Sequence, residues 1–481
     1  MAPPDSKPAP DALYTARIPI FPRRVKGTFR TLKWWIMGVT LAIYYLTPWI
    51  RWDRGPLMPD QAVLVDLANR RFFFFWIEIW PQQFIYVAGL LIMAGLGLFL
   101  FTSALGRVWC GYPCPQTVWT DLYITVERWI EGDRNARIKL HKQGWDARKI
   151  RLRATKWLVW LAIGVATGGA WVFYFADAPT LLVDLLTGEA AFVAYASIAV
   201  LTATTFVFGG FMREQVCIYM CPWPRIQAAM MDDQTITVGY RHWRGEPRGK
   251  HRKREGAEQL GDCIDCNACV AVCPMGIDIR DGQQLACITC ALCIDACDDV
   301  MEKTGKPRGL IDYVTLQDEA IETEGAPAVP LIKRILRPRT ILYTVLWAAI
   351  GVGMVVSLFM RESIDLSVAR DRNPLFVTLA DGSIRNGYTI KVSNQNQNPH
   401  EFVLSFRSEL PLSANLQGEE ALRFTVDADK LRTLRLFLTT LPFARPTEQA
   451  DVEVWIEDQQ TRERVSVGTV FLAPEPEAWA Q

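Results

Sequence analysis

The sequence predicts a multi-domain membrane protein: an α-helical transmembrane bundle of about five spans, an α+β cysteine-rich domain, and a C-terminal all-β sandwich. Three observations carry that prediction. Five apolar stretches are long enough to cross a bilayer. All 12 cysteines fall between Cys110 and Cys297. Beyond about Arg361 the chain alternates apolar and polar residues in short runs.

The apolar stretches run approximately Trp34–Ile50, Phe84–Leu105, Thr155–Ala176, Ala190–Phe211 and Ile341–Met360. Half of the 481 residues are hydrophobic, and 18 Trp and 23 Phe are heavy aromatic use for a soluble chain. Trp34, Trp35 and Trp49 bracket the first stretch as interfacial anchors. Its long basic lead and the sequence Pro48-Trp49-Ile50-Arg51 do not suit a cleaved signal peptide. The segment Phe72–Trp80 is too short to span and reads as an interfacial helix or as the lead-in to the second span. Net charge is +1, an average over unlike regions. Arg17, Arg23, Arg24, Lys26, Arg30 and Lys33 precede the first span, and basic loops follow the second and fourth. The loop Asp177–Glu189 has no Lys or Arg. Positive-inside bias therefore predicts a cytoplasmic N-terminus and an external C-terminus.

In the tail, Phe376–Leu379, Tyr388–Val392, Glu401–Phe406 and Val452–Ile456 read as strands. Asp381-Gly382, Asn386-Gly387 and Asn398-Pro399 read as the turns between them. Short strands repeated in this way predict a sandwich. It contains no reactive constellation, so docking or stabilisation is its expected role.

Two runs carry the clearest chemistry. Cys263, Cys266, Cys269 and Cys273-Pro274 form one C-x2-C-x2-C-x3-C motif, and Cys287, Cys290, Cys293 and Cys297 form another. Three closely spaced thiolates wrap one cubane, and the fourth ligand crosses from the other repeat. The spacing thus predicts a bacterial-type ferredoxin domain with two [4Fe–4S] clusters. Cys263, Cys266, Cys269 and Cys297 would hold one cluster, and Cys287, Cys290, Cys293 and Cys273 the other. Zinc sites favour two C-x-x-C pairs with a longer gap. Asp298 replaces the trailing proline of the second repeat. That proline is a turn device rather than a ligand.

Two further pairs follow membrane spans: Cys110-Gly-Tyr112-Pro-Cys114-Pro115 and Cys217-Ile-Tyr219-Met220-Cys221-Pro222. The matching placement suggests an internal repeat, with the prolines at turns or first helical turns. If the turns are helical, i and i+4 share a face and each pair presents two thiols together. Soft sulfur ligands select Cu(I), zinc or iron–sulfur clusters. Met220 inside the second motif, with Met212, Met230 and Met231 nearby, tilts the choice to copper, although helix packing accounts for each methionine singly. A redox-active disulfide is a further reading of each cysteine pair.

Other chemistries lack their residues. The chain has four histidines, His141, His242, His251 and His400, none of them in a span, so a bis-His membrane haem is excluded. No Gly-rich nucleotide loop, P-loop or Ser/His/Asp signal is present. The basic run 241–254 beside a membrane suits anionic lipid rather than nucleic acid.

Taken together, the paired Cys-x-x-x-Cys-Pro motifs, the ferredoxin segment, one later span and the β tail resemble the FixG/RdxA/CcoG family of cytochrome c oxidase accessory proteins. The resemblance runs from about Tyr14 into the tail, including Arg370-Asp-Arg-Asn-Pro374 and Ile384-Arg-Asn-Gly-Tyr388. It implies an immunoglobulin-like fold for the tail. It also implies reduction of Cu(II) to Cu(I) on the cytoplasmic side of a bacterial inner membrane, for assembly of a cbb3-type oxidase. On this reading Cys110, Cys114, Cys217 and Cys221, with Met220, are the copper site. The expected partners are membrane lipid, an unassigned electron donor, copper carriers, oxidase assembly factors and a second copy of the chain. The expected divisions are a cytoplasmic arm (1–33), a four-span domain (34–211), a basic linker (212–256), the ferredoxin domain (257–318), a second linker (319–338), the fifth span (339–360) and the external sandwich (361–481). Alternative readings are a quinol-oxidising subunit resembling NapH, whose relatives lack the sandwich, and a non-enzymatic copper-binding scaffold.

Overall fold

The computed structural model describes residues 18–55, 58–80, 83–249, 260–325, 331–360, 364–396, 398–419, 421–428, 430–442 and 448–474. Arg17 of the basic arm and the end of the basic run, with His251, lie outside the described residues. The chain divides into two compact units, one of residues up to 52 with 60–354, the other of residues 53–59 with 355–481.

Every predicted span is helical: α1 (Thr28–Leu46), α2 (Ile85–Leu105), α4 (Ala147–Val172), α5 (Phe192–Gly210) and α6 (Pro338–Phe359), with α3 (Pro115–Glu131) between α2 and α4. Three of them, α2, α5 and α6, are long and apolar enough to cross a membrane. Their side chains are exposed on nearly every face, as expected of helices whose solvent is lipid. α1 and α4 begin with basic turns, and Lys33 and Lys156 are buried. α4 and α5 cross closely at Gly164 and Gly168, where a Cβ would meet Thr202 and Ile198 at 3.2 and 2.8 Å.

α3 and α4 share a buried charge cluster. Glu127 on α3 accepts from Arg137, Lys156 and Arg213, and Lys156 also pairs with Glu131. Burial alone would raise the Glu127 pKa, but Arg213, Arg137 and Lys156 outweigh it and hold the carboxyl at about 2. A folded-state pKa below the unfolded value contributes stability above about pH 4.5, lost as the pH falls towards 2. Glu127→Ala leaves three cations around one carboxylate fewer. It is expected to cost about 3–5 kcal/mol, measurable as a lowered thermal midpoint in detergent.

Two expectations are corrected here. Phe72–Trp80 is not a helix but part of an antiparallel meander of β1 (Val63–Asp66), β2 (Arg71–Phe74) and β3 (Ile77–Ile79). Its aromatic and β-branched residues suit a pleated surface. Phe75, at φ 53°, makes the tight reversal. The acidic loop after α4 contains a helix, Ala178–Thr187, whose N-terminus is capped by Asp177 accepting from the Thr180 N–H.

The ferredoxin fold is a two-stranded antiparallel ribbon, β4 (Thr237–Tyr240) with β5 (Ile311–Val314), packed on helices Ala268–Val272 and Leu292–Lys303. β4 lies within the expected linker 212–256, so this fold begins before residue 257. That linker also carries the helix Trp223–Met230.

The second unit is a β-sandwich. One sheet runs β10 (Leu412–Leu416), β12 (Lys430–Thr440), β8 (Ile384–Asn394), β6 (Ile364–Arg370), with β7 (Val377–Thr378) also on β8. The other runs β11 (Arg423–Val426), β9 (His400–Ser408), β13 (Gln449–Asp458), β14 (Arg464–Leu472). Alternate residues such as Tyr388, Ile390, Leu436, Phe402, Val454 and Phe471 fill the core. All four predicted strands overlap observed ones, but Asn386-Gly387 is no turn. It lies inside β8, where Asn386 exchanges hydrogen bonds with Leu472. Asp371 approaches Gly387 so closely that a Cβ would lie 2.5 Å from its carboxylate.

Candidate metal centre

The two cysteine repeats fold alike. At the same offsets, Asp265 and Asn267 in the first and Thr289 and Ala291 in the second all have φ between 52° and 59°. Left-handed backbone at non-glycine residues is uncommon, and here it curls each loop around its own interior. One cavity is lined by Cys263, Cys266, Cys269 and Cys297. A second is lined by Cys273, Cys287, Cys290 and Cys293, with Cys269 bordering both.

All 12 cysteines are free thiols. Burial pushes Cys269 up to about 11, Cys273 and Cys297 up to about 12, and Cys293 well above its ordinary value. Buried thiols gathered in apolar pockets offer little to each other, and become ligands when a soft cation displaces their protons. The donor set fits iron–sulfur clusters.

Arg280, buried, pins the first loop: it donates to Asp265 at 2.6 Å, Asn267 at 2.5 Å and Asp278 at 2.6 Å. Arg280→Ala frees both left-handed residues. Iron in the first cavity is expected to pass to a chelator about 10-fold faster, with the second half of the iron released at the wild-type rate.

The Cys-x-x-x-Cys-Pro motifs also form a structural pair. Cys110 lies in a single turn, Val108–Gly111, and Cys114 caps α3 with Pro115 in its first turn. Cys217 lies in a π-turn, Val216–Met220, and Cys221 immediately precedes Pro222 and the helix Trp223–Met230. Buried Gln227 of that helix ties the repeats together. It accepts from the Cys110 thiol at 3.1 Å and donates to Thr102 at 3.3 Å. Burial raises the Cys217 thiol to about 12, with further contributions from Cys114, Cys110 and Cys221. Such mutual repulsion requires proximity, so the four thiols share one neighbourhood. Among the described residues no three His, Cys, Asp or Glu close tightly enough to hold a single ion. Met220 is 51 % exposed, and the apolar cluster containing Cys110 and Cys217 does not include it. Met275, after Cys273-Pro274, belongs to that cluster instead.

The two thiol sets abut. Cys110 and Cys217 pack in one apolar cluster with Cys273 and Cys290. A Cβ on Gly111 would lie 2.6 Å from the Ile288 carbonyl oxygen and 2.9 Å from Cys290 Cα. The second cavity, not the first, therefore faces the membrane-side thiols. The ferredoxin helix is also fastened to α1: Asp295, between Cys293 and Cys297, accepts from the Phe29 and Arg30 N–H groups at 3.2 and 2.7 Å.

Comparison with known proteins agrees with this construction. Residues 212–316 match the family described as a 4Fe-4S dicluster domain, and residues 87–134 a 4Fe-4S binding domain. Residues 354–474 match the IG-like fold at the C-terminal of FixG. Protein RdxB of Cereibacter sphaeroides is 62% identical over 475 residues, covering 98% of this chain and 99% of that one. RdxA of the same organism is 60% identical, covering 96% and 98%. The nitrogen fixation protein FixG of Rhizobium meliloti is 54% identical, covering 94% and 92%. The chain belongs to the FixG/Rdx family.

As a FixG/Rdx protein it is an iron–sulfur protein with a helical region apolar enough for a membrane and an immunoglobulin-like C-terminal domain. Sequence reading missed Arg107, Gln227, Met275 and Arg280. Only Met275 carried a local signal, its position directly after Cys273-Pro274. Arg280 acts on Asp265 and Asn267 within the first cysteine motif, 15 and 13 positions before it, whereas Gln227 and Arg107 act across 117 and 178 positions.

Proposed function

We propose that this FixG/Rdx protein reduces Cu(II) to Cu(I) at the cytoplasmic membrane face, in support of cbb3-type oxidase assembly. The contact of Gly111 with Cys290 is the observation that carries the reading, because it brings the membrane-side thiols against the second cluster site. Cys263, Cys266, Cys269 and Cys297 would hold the outer cluster, and Cys273, Cys287, Cys290 and Cys293 the inner one. When bound, the clusters supply electrons one at a time. The protein's own part is to hold the thiols of Cys110, Cys114, Cys217 and Cys221 within reach of that supply.

Cu(II) + e⁻ → Cu(I) is favoured on sulfur, since thiolates bind Cu(I) far better than Cu(II). Deprotonation accompanies binding, and with Cys217 near 12 copper capture releases protons and accelerates as the pH rises. The arrangement we favour has five spans in a bacterial inner membrane, with N-terminus and clusters inside and the sandwich outside. The electron donor, copper carriers and oxidase assembly factors would then meet the protein from the cytoplasm or the membrane.

The test is anaerobic. Cluster-loaded protein is reduced with dithionite, desalted, and mixed with Cu(II) and a Cu(I) chelator. One Cu(I) is expected per electron stored, as the absorbance of the oxidised protein returns. No Cu(I), with the protein still reduced, overturns the reading.

A further inference from the structure

A cavity of about 240 Å³ lies beside the junction of the two thiol sets. A single water needs only about 10–15 Å³ of such space. Its polar lining comes from Arg107, Thr237, Gln283, Gln284, Cys287 and Thr289, and it includes no acidic side chain. Arg107 is 4 % exposed. One of its terminal nitrogens donates to the Leu285 carbonyl, while its Nε is buried without a partner. No carboxylate pairs with it among the described residues. Gln283 is held by Thr237 at 2.7 Å and Gln284 by the Asp278 carbonyl at 2.5 Å, so amides and hydroxyls stand ready around one cation. Gln283 and Leu285, at the rim, are exposed.

A buried guanidinium that no carboxylate pairs with leaves room for a ligand to supply negative charge on the side away from the thiols. Its planar fork matches a carboxylate. Its field also reaches Cys110, Cys217 and Cys287, the first three residues further along the chain and the last in the cavity wall. We propose that this cavity binds a small polycarboxylate anion on Arg107, and that Cu(II) arrives at the protein as such an anionic chelate. The second clause rests on the cupric-reductase reading above; the first does not.

Two measurements separate the clauses. In the first, citrate is titrated calorimetrically into oxidised, cluster-loaded protein. Binding of one citrate is expected, weakened about 10-fold or more by Arg107→Gln and only partly by Arg107→Lys. Iron and sulfide content verifies that the variants are folded. Should Arg107→Gln fail to load clusters, Gln283→Glu places a competing carboxylate beside Arg107 and is expected to abolish citrate binding with the clusters retained. No citrate binding by wild type, or equal binding by folded Arg107→Gln or Gln283→Glu, overturns the site. In the second, the ratio of the KM for Cu(II)–citrate to that for a cationic Cu(II)–imidazole complex is expected to rise about 10-fold in the variant, any effect of Arg107 on the thiols being common to both substrates. An unchanged ratio overturns the delivery clause alone. Citrate binding in a protein that reduces no copper would sink the reductase reading and leave the anion site standing.

Discussion

Converting Cys110, Cys114, Cys217 and Cys221 together to serine is expected to leave iron and sulfide content at wild-type levels while copper reduction falls more than about 100-fold. The substitution keeps size and removes softness: a hydroxyl is a hard, weakly acidic ligand that does not favour Cu(I). The cluster loops hold no hydrogen bond from these four thiols; Cys110 bonds Gln227 and nothing in the ferredoxin fold. Iron retention and copper turnover should therefore separate cleanly. A quadruple variant with full iron that reduces copper as fast as wild type would move the copper site elsewhere on the molecule.

The second large effect concerns a residue with no side chain. Gly111→Val drives a branched Cβ against the Ile288 carbonyl, Cys290 Cα and the Cys290 nitrogen, at 2.6, 2.9 and 3.0 Å. All three are backbone atoms, which cannot swing aside as a flexible side chain would. The two loops must part by about 1 Å, a displacement that typically costs on the order of 100-fold where reacting groups must be aligned. Reduction by dithionite, which reaches the outer site from solvent, should be unaffected. Copper reduction and the spectroscopic signature of the inner site should both change. An unaltered copper rate would mean that electrons leave by another face.

How much of this was legible in the sequence depends on the range of each signal. The cysteine loops were legible because three thiols of each repeat lie within seven residues, and the cavities group Cys297 with the first set and Cys273 with the second, as the crossed pattern expects. The sandwich strands were legible because alternation is local. Phe72–Trp80 misled because a run of aromatics has no period, so it fits a membrane-surface helix and a strand equally well. Asn386-Gly387 misled because glycine there serves the approach of Asp371, not a reversal. The thiols of the two Cys-x-x-x-Cys-Pro motifs were legible as soft-metal or redox chemistry, but their neighbours were not. Gln227 meets Cys110 across 117 positions and Arg107 meets Leu285 across 178, and nothing in either local sequence announces a partner. Met220 was favoured for its place inside a motif, yet the π-turn leaves it half exposed while Met275 takes the buried position.

The clasp of Asp295 on the start of α1 has a consequence for biogenesis. A carboxylate on the cofactor-bearing helix holds the second and third amides of α1, so the ordering of one helix favours the ordering of the other. Order in the iron-bearing helix would thereby favour seating of the amino-terminal helix. A chain made during iron shortage would be left with a loosened first helix, open to membrane proteases. Cofactor supply would then be read out as the lifetime of the protein.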